Sequence, residues 1–292
     1  MIFSSSINLN GATRTIQADD GAAAVDGRLT GVLTNGALTK IGNGTLQLSA
    51  ANVYAGATTV SAGRLSLAST GAINSSTNVT VGSGAIFDVS AVSGFTIGAA
   101  QVLNGSGAVV GNTTVNGTLA PGNSIGALTF SNNLTLAGNT VMELDKSLSP
   151  SNDLAVVTGQ LAYGGTLTLN NIGTNALVAG DSFKLFQPGS IAGNFATIAG
   201  SPGAGLAWSF NASSGVASVV TTGSPTLTLT PSAGGVLNFS WPGSGYKLQS
   251  QTNSLSAGLR TNWFDYPGGA ASPVAVTNNP ANPSVFFRLI SL

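Results

Sequence analysis

GALTKIGNGTLQLS (residues 36–49), followed by YAGATTVSAGRLSL (54–67), is the stretch that decides the fold. Within it a glycine, a variable residue and a leucine stand at Gly44-Thr45-Leu46 and again at Gly63-Arg64-Leu65. Each copy continues in strict alternation, through Leu46-Gln47-Leu48 and Leu65-Ser66-Leu67. Alternation of this kind puts the aliphatics on one face of a strand and the polar residues on the other. The unit recurs with an aliphatic third residue as Gly84-Ala85-Ile86, Gly107-Ala108-Val109 and Gly126-Ala127-Leu128, so that its glycines follow one another at nearly even intervals. Further copies stand at Gly117-Thr118-Leu119 and Gly165-Thr166-Leu167.

Short strands, a corner glycine and a period of roughly 20 residues are what one coil of a parallel β-helix requires. Glycine supplies a positive φ or a close backbone approach at the corner. No coil can bury its inward Leu and Val alone, so neighbours must stack. About eleven coils at strand spacing give a rod on the order of 50 Å. A chain of two or three β-sandwiches also has short strands, with turn signals roughly every 8–12 residues. The regular Gly-x-aliphatic interval favours coils.

The composition agrees. Of 292 residues 42% are hydrophobic and only 6% charged, with 9 basic and 9 acidic side chains. Asp88 is the single charge between Arg64 and Glu143. Surface helices need Lys and Glu for solubility and pairing, and the Gly, Ser, Thr and Asn found here form helices poorly. An all-β chain is expected, kept soluble by outward Asn, Ser and Thr. His and Cys are both absent. That excludes His-dependent triads, Cys nucleophiles, imidazole or thiolate metal sites and disulfides. So few cations cannot track a phosphate backbone, and nucleic acid is not an expected partner. No apolar run reaches the length of a membrane-spanning helix.

From 154 to 220 the repeat loosens and Tyr163, Phe183, Phe186, Phe195, Trp208 and Phe210 replace small residues. This reads as a wider end that caps the solenoid core. Thr221-Thr222-Gly223-Ser224-Pro225 then reads as a linker. Seven of the 11 prolines and eight of the 19 aromatics lie from Pro225 onward. Six short strands are expected there, at 227–230, 236–241, 246–250, 263–266, 274–276 and 286–289. The expected organisation is a β-helix over 1–222 and a small β-sandwich over 223–292.

The blocks 36–49 and 54–67 resemble the autotransporter-associated β-strand repeat, also called the passenger-associated transport repeat. GTLAPGNSIGALTF (117–130), NLTLAGNTVMELD (133–145), AGDSFKLF (179–186) and AGLAWSF (204–210) look like segments that follow it in very large bacterial surface proteins. The resemblance covers roughly 25–220 and is most specific over 36–67. It implies a right-handed parallel β-helix, secreted or displayed at the cell surface. WPGSGYKLQSQTNSLSAGLRTNWFDYPG (241–268) with SVFFRL (284–289) is similar to a β-rich module that closes many such proteins. The segment after Ser224 is too short for a membrane barrel of a dozen strands. Neither a secretion signal nor a cap-like segment precedes Ile7, so the chain is expected to be a fragment continuing a longer N-terminal β-helix.

Few residues invite chemistry. Glu143 and Asp145 share a strand face with Asp153 nearby, a pattern that serves acid–base catalysis or calcium. The surrounding sequence lacks the Arg and Lys that line polysaccharide-cleaving clefts, so they read as outward charge. Asp19, Asp20 and Asp26 lack EF-hand spacing. Gly105-Ser106-Gly107 with Gly111 misses the dinucleotide fingerprint. Sequons such as those at Asn43 and Asn112 are expected by chance in this composition. No catalytic, cofactor or metal residue is assigned. Trp263 and Tyr266 beside the Pro267-Gly268-Gly269 turn are the candidate ligand-binding residues, suited to stacking on sugar rings. A small sandwich also needs large side chains inside, so Trp241 and Trp263 are expected in its core and Tyr266 is the better surface candidate. The expectation is a non-catalytic extracellular stalk with a C-terminal anchoring or sorting domain. The alternative is an adhesin that binds polysaccharide or a cell-surface component through that domain; a polysaccharide lyase or hydrolase ranks below both.

Overall fold

The computed structural model describes residues 1–222, 225–242, 246–277, 279 and 281–291. Gly223 and Ser224 of the expected linker lie outside the described residues. The chain divides into two units. The first holds Met1–Ala176, Phe183–Ser201 and Phe210–Ala217; the second holds Leu177–Ser182, Pro202–Ser209 and Ser218–Leu292. Among the described residues the one helical element is a 3-10 turn at Ala233–Gly235, and every other element is a strand.

The first unit is a parallel β-helix. Nine strands stack in the order Ile7–Gln17, Leu33–Ile41, Thr58–Val60, Asn78–Val81, Val102–Gly105, Thr118–Pro121, Asn139–Leu144, Thr166–Asn171 and Thr197–Ala199. A second ladder runs from Ile2–Phe3 through Gly27–Leu29, Thr45–Leu48, Arg64–Leu67, Ile86–Asp88, Ala108–Val110 and Ala127–Phe130 to Leu154–Tyr163. A third side is a single parallel bridge between Ala51 and Ala72 in the early coils, becomes a strand at Phe95–Ile97, continues through Thr113–Val115 and Leu134–Leu136, and merges with the second in Leu154–Tyr163. The strands at Thr45, Arg64, Ala127, Thr118 and Thr166 each start just after the glycine of a repeat copy.

Nine levels stand where the mean period implies eleven coils. The difference lies in uneven coil length. Leu103 pairs with Leu119 a short step along the chain, whereas Leu167 pairs with Ile198 only after a far longer excursion. Extra residues enter at the corners, and also within two strands, where the register shifts between Asn8 and Ala12 and between Val157 and Gln160.

Register explains the alternation. Leu46, Leu65, Phe87, Val109, Phe130 and Val157 are successive partners and form one inward column, each at most 2% exposed. Each such side chain contributes roughly 1.5–3 kcal/mol on burial. Outside, Thr15, Thr39, Thr59, Thr80 and Asn104 make a matching polar column. The corner glycine Gly63 is sterically required: it has φ +62, and a Cβ there would lie 2.5 Å from the Gly42 carbonyl oxygen. At the level of Phe186–Gly193, Tyr163, Phe186, Phe195 and Phe210 cluster with ring centroids 5.1–5.8 Å apart.

Polar side chains also enter the interior, and several are bonded there, although the buried Thr140 hydroxyl has no hydrogen-bond partner among the described residues. Asn52 accepts from Leu33 N and donates to the Ala50 and Ala72 carbonyls, tying three coils together. Lys40 is completely buried and donates its ammonium to the carbonyls of Ile41, Gly42 and Ala62 at 2.9, 2.7 and 3.1 Å. Burial lowers its pKa, against the opposing pull of Asp19 and Asp26. Tyr54, Thr58 and Ser76 share a buried hydroxyl chain at 2.7 and 2.9 Å.

After residue 225 the strands pair antiparallel. Thr228–Ser232, Val236–Ser240 and Val274–Thr277 form one sheet. Phe264–Asp265, Tyr246–Thr252 and Val285–Ser291 form the other. Phe239, Trp241, Leu248, Val274 and Val276 make their shared core, with Tyr266, Phe287 and Leu289 packed against it.

Candidate functional site

Trp263 and Tyr266 flank the short strand Phe264–Asp265, which pairs with Tyr246–Thr252. The same alternation that sends Leu248 inward sends Lys247 and Gln249 outward, and Arg288 stands opposite Gln249 on the next strand. A continuous polar row results. Lys247 Nζ meets Asp265 Oδ2 at 2.7 Å, and Gln249 Nε2 donates to Asp265 Oδ1 at 2.8 Å. Arg288 donates Nε and Nη2 to Gln249 Oε1 at 2.9 and 2.8 Å. Its guanidinium lies 4.3 Å from the Trp263 ring centroid, a cation–π contact. The hydrogen bonds from Lys247 and Gln249 hold the Asp265 carboxyl below its usual pKa.

The expected placement of the two candidate aromatics is reversed: Tyr266 packs against the core cluster, and Trp263 stands outside it. Trp263 is half-buried and stacked by Arg288 at the end of the row. Tyr266 packs its ring toward the core cluster, 6.2 Å from Phe287, and its backbone N–H bonds to the Leu248 carbonyl. Composition and motif alone do not single out Arg288, Gln249 and Lys247. Their outward positions in the alternation of 246–252 and 285–291 are the available signal.

The carboxylates separate as well. Asp145 caps a turn through Ser147, whose hydroxyl and N–H lower its pKa. Asp153 is 2% exposed and accepts from Gly126 N at 3.0 Å and Glu143 N at 2.8 Å. It lines a cavity of about 160 Å³ together with Glu143, Asn104 and the 121–124 turn. Burial pushes the Asp153 carboxyl up to about 7, the two backbone N–H groups oppose the rise, and Glu143 adds to it. Among the described residues no Lys or Arg lines this cavity. Both Asp153 oxygens are thus occupied by backbone donors from neighbouring coils, which ties this carboxyl to coil packing.

On the solenoid, Arg64 and Asp88 pair at 2.5 Å across adjacent strands. Burial raises the Asp88 pKa, but the Ser90 hydrogen bonds and Arg64 outweigh it and the net shift is downward. Asp26 is committed to backbone, accepting from Gly21 N and Thr45 N. Asp19 accepts from Gln17. Among the described residues no group of three or more acidic side chains is placed to hold a metal ion.

Stacked coils with an apolar interior and a neutral polar exterior define a parallel β-helix repeat protein. Residues 38–67 match the family model of the passenger-associated-transport-repeat, so the chain carries that repeat where the alternation is most regular. It is also similar to the Adhesin BmaC autotransporter of Brucella suis biovar 1 (strain 1330), with 33% identity over 173 residues, 56% of this chain. The chain spans 4% of that relative's length.

Proposed function

We propose that the chain is a non-catalytic segment of a bacterial surface passenger, in which the β-helix is a stalk and the C-terminal β-sandwich anchors or sorts it. The observation that carries this reading is the nine-strand parallel ladder, whose successive pairings serve stacking and whose exterior carries few charges. The adhesin relative supports an extracellular or cell-surface location and a role in adhesion. The organisation proposed is solenoid to residue 222 and module from 223. A second reading, polysaccharide recognition through Trp263 and Tyr266, draws support from the polar row ending in the Arg288–Trp263 stack.

Labelled full-length chain, incubated with bacterial envelopes and with immobilised polysaccharides, separates the two. The stalk reading expects envelope association, no saturable polysaccharide binding and no release of sugar products. Saturable polysaccharide binding that Trp263→Ala abolishes, in a folded variant, favours the second reading. Accumulating reducing or unsaturated sugar ends would overturn the non-catalytic assignment.

A further inference from the structure

The loop between Tyr246–Thr252 and Phe264–Asp265 carries a feature that neither reading uses. Leu255 is 78% exposed and Leu259 64%, and Phe264 just beyond is 67% exposed. A single exposed leucine is ordinary. Here two large apolar side chains are held outward by a loop whose shape is fixed from within.

The fixing is specific. The Gln251 side chain is 1% exposed, donates to the Arg260 carbonyl at 3.0 Å and accepts from Arg260 N at 2.8 Å. Asn253 donates to the Gly258 carbonyl at 2.7 Å and to Gln251 Oε1. Ala257 N and Gly258 N both donate to the Ser254 carbonyl, at 3.0 and 3.2 Å. Arg260 Nε donates to the Ala257 carbonyl at 3.0 Å. Folding either leucine back onto the sandwich requires breaking several of these bonds.

The surrounding charge selects the occupant. Residues 225–292 contain Lys247, Arg260 and Arg288 against one acid, Asp265. Lys247 already neutralises Asp265. Arg260 and the half-buried Trp263 border the exposed leucines in sequence. Leucine, tryptophan and arginine together are the composition of a membrane-interface segment, with apolar groups entering the acyl boundary and cations at the headgroups.

We propose that the 253–262 loop is a lipid-insertion loop that seats Leu255 and Leu259 in an anionic membrane surface. This names the target of the anchoring role and rests on that reading. The test is co-sedimentation of the full chain with vesicles of phosphatidylcholine alone or mixed with phosphatidylglycerol, at low and high salt. Binding is expected to the anionic vesicles and to weaken as salt screens the cations. Leu255→Ser with Leu259→Ser should lower the partition constant by about a hundredfold, roughly tenfold for each lost side chain. Both positions are exposed, so the thermal unfolding midpoint should not move. Arg260→Gln should reduce the salt dependence. Absence of vesicle binding, or binding that the double leucine variant leaves unchanged, overturns the proposal. If the double variant still associates with bacterial envelopes, the loop is not the anchor while the anchoring reading stands; loss of envelope association by the wild type removes that reading instead.

Discussion

Asp153→Asn gives a pH-dependent result whose sign follows from geometry. The wild-type carboxyl is 2% exposed and its pKa rises from 3.8 in the open chain to about 7 in the fold. The folded protein therefore holds a proton between those values that the unfolded chain has released. Stability from this group is complete below pH 3.8 and is lost as pH rises through about 7. A shift of this size corresponds to about 4 kcal/mol across the window. Asn cannot ionise, so the variant should lack that slope. It also cannot accept from both Gly126 N and Glu143 N, since one of its two polar atoms is a donor. One buried N–H loses its partner, at about 1–3 kcal/mol. The variant should therefore be less stable than wild type in acid and catch up or overtake it toward neutrality. Urea unfolding followed by circular dichroism across the pH range measures both curves. Asp88, Asp145 and Asp265, whose pKa values are lowered, lose their contributions on the acid side of this window. A wild-type curve that does not fall between pH 3.8 and about 7, or a variant with the same slope, refutes the reasoning.

Other expectations bear on the coils and the module. Gly63→Ala should cost about 2–4 kcal/mol, because it combines a left-handed φ with a Cβ 2.5 Å from a carbonyl; Gly84→Ala, with φ +74 and open space, should cost about 1–2, and equal losses in denaturant titrations would contradict this. Lys40→Met removes the ammonium from three carbonyls and should destabilise by about 2–4 kcal/mol; an unchanged melting curve would show that the buried cation adds nothing. Leu65→Ala, at 0% exposure in the inward column, should lose about 2–5 kcal/mol, with the earliest loss of amide-exchange protection in the strands that flank it. Arg288→Ala should cost about 0.5–1 kcal/mol and shift Trp263 fluorescence, while leaving the solenoid's melting unchanged.

The inward columns are legible in the sequence because alternation and a repeated glycine leave one way to bury Leu46, Leu65 and Phe87 together. The six short strands after 225 are legible from the same alternation, broken by Gly, Pro and Asn. The number of levels is not, since corner insertions lengthen a coil without disturbing its strands, as between Leu167 and Ile198. The third side is only a bridge at Ala51 and Ala72 before it becomes a strand at Phe95–Ile97, a change that the repeated glycine spacing does not mark. Lys40 looks like a solvated charge, yet its place on an inward position beside a glycine corner buries it. Asp153 meets the Glu143 backbone and the 121–126 turn across coils, a contact that spacing cannot reveal. In the module, Trp263 is recognisable as a candidate, but its stacking partner Arg288 comes from the last strand and becomes a neighbour only once the sheet forms.

The chain's lack of cysteine makes the central claim, stacked coils in this register, directly measurable. Thr59 and Thr80 are partners on neighbouring coils, and Asn104 is the next partner in the same column. Parallel neighbours lie about 4.8 Å apart, within disulfide reach, and second neighbours about 10 Å apart, beyond it. Two double variants would be oxidised and mapped by mass spectrometry: Thr59→Cys with Thr80→Cys, and Thr59→Cys with Asn104→Cys. The account predicts an intramolecular disulfide in the first and free thiols in the second. Free thiols in the first, or efficient cross-linking in the second, would contradict the β-helix.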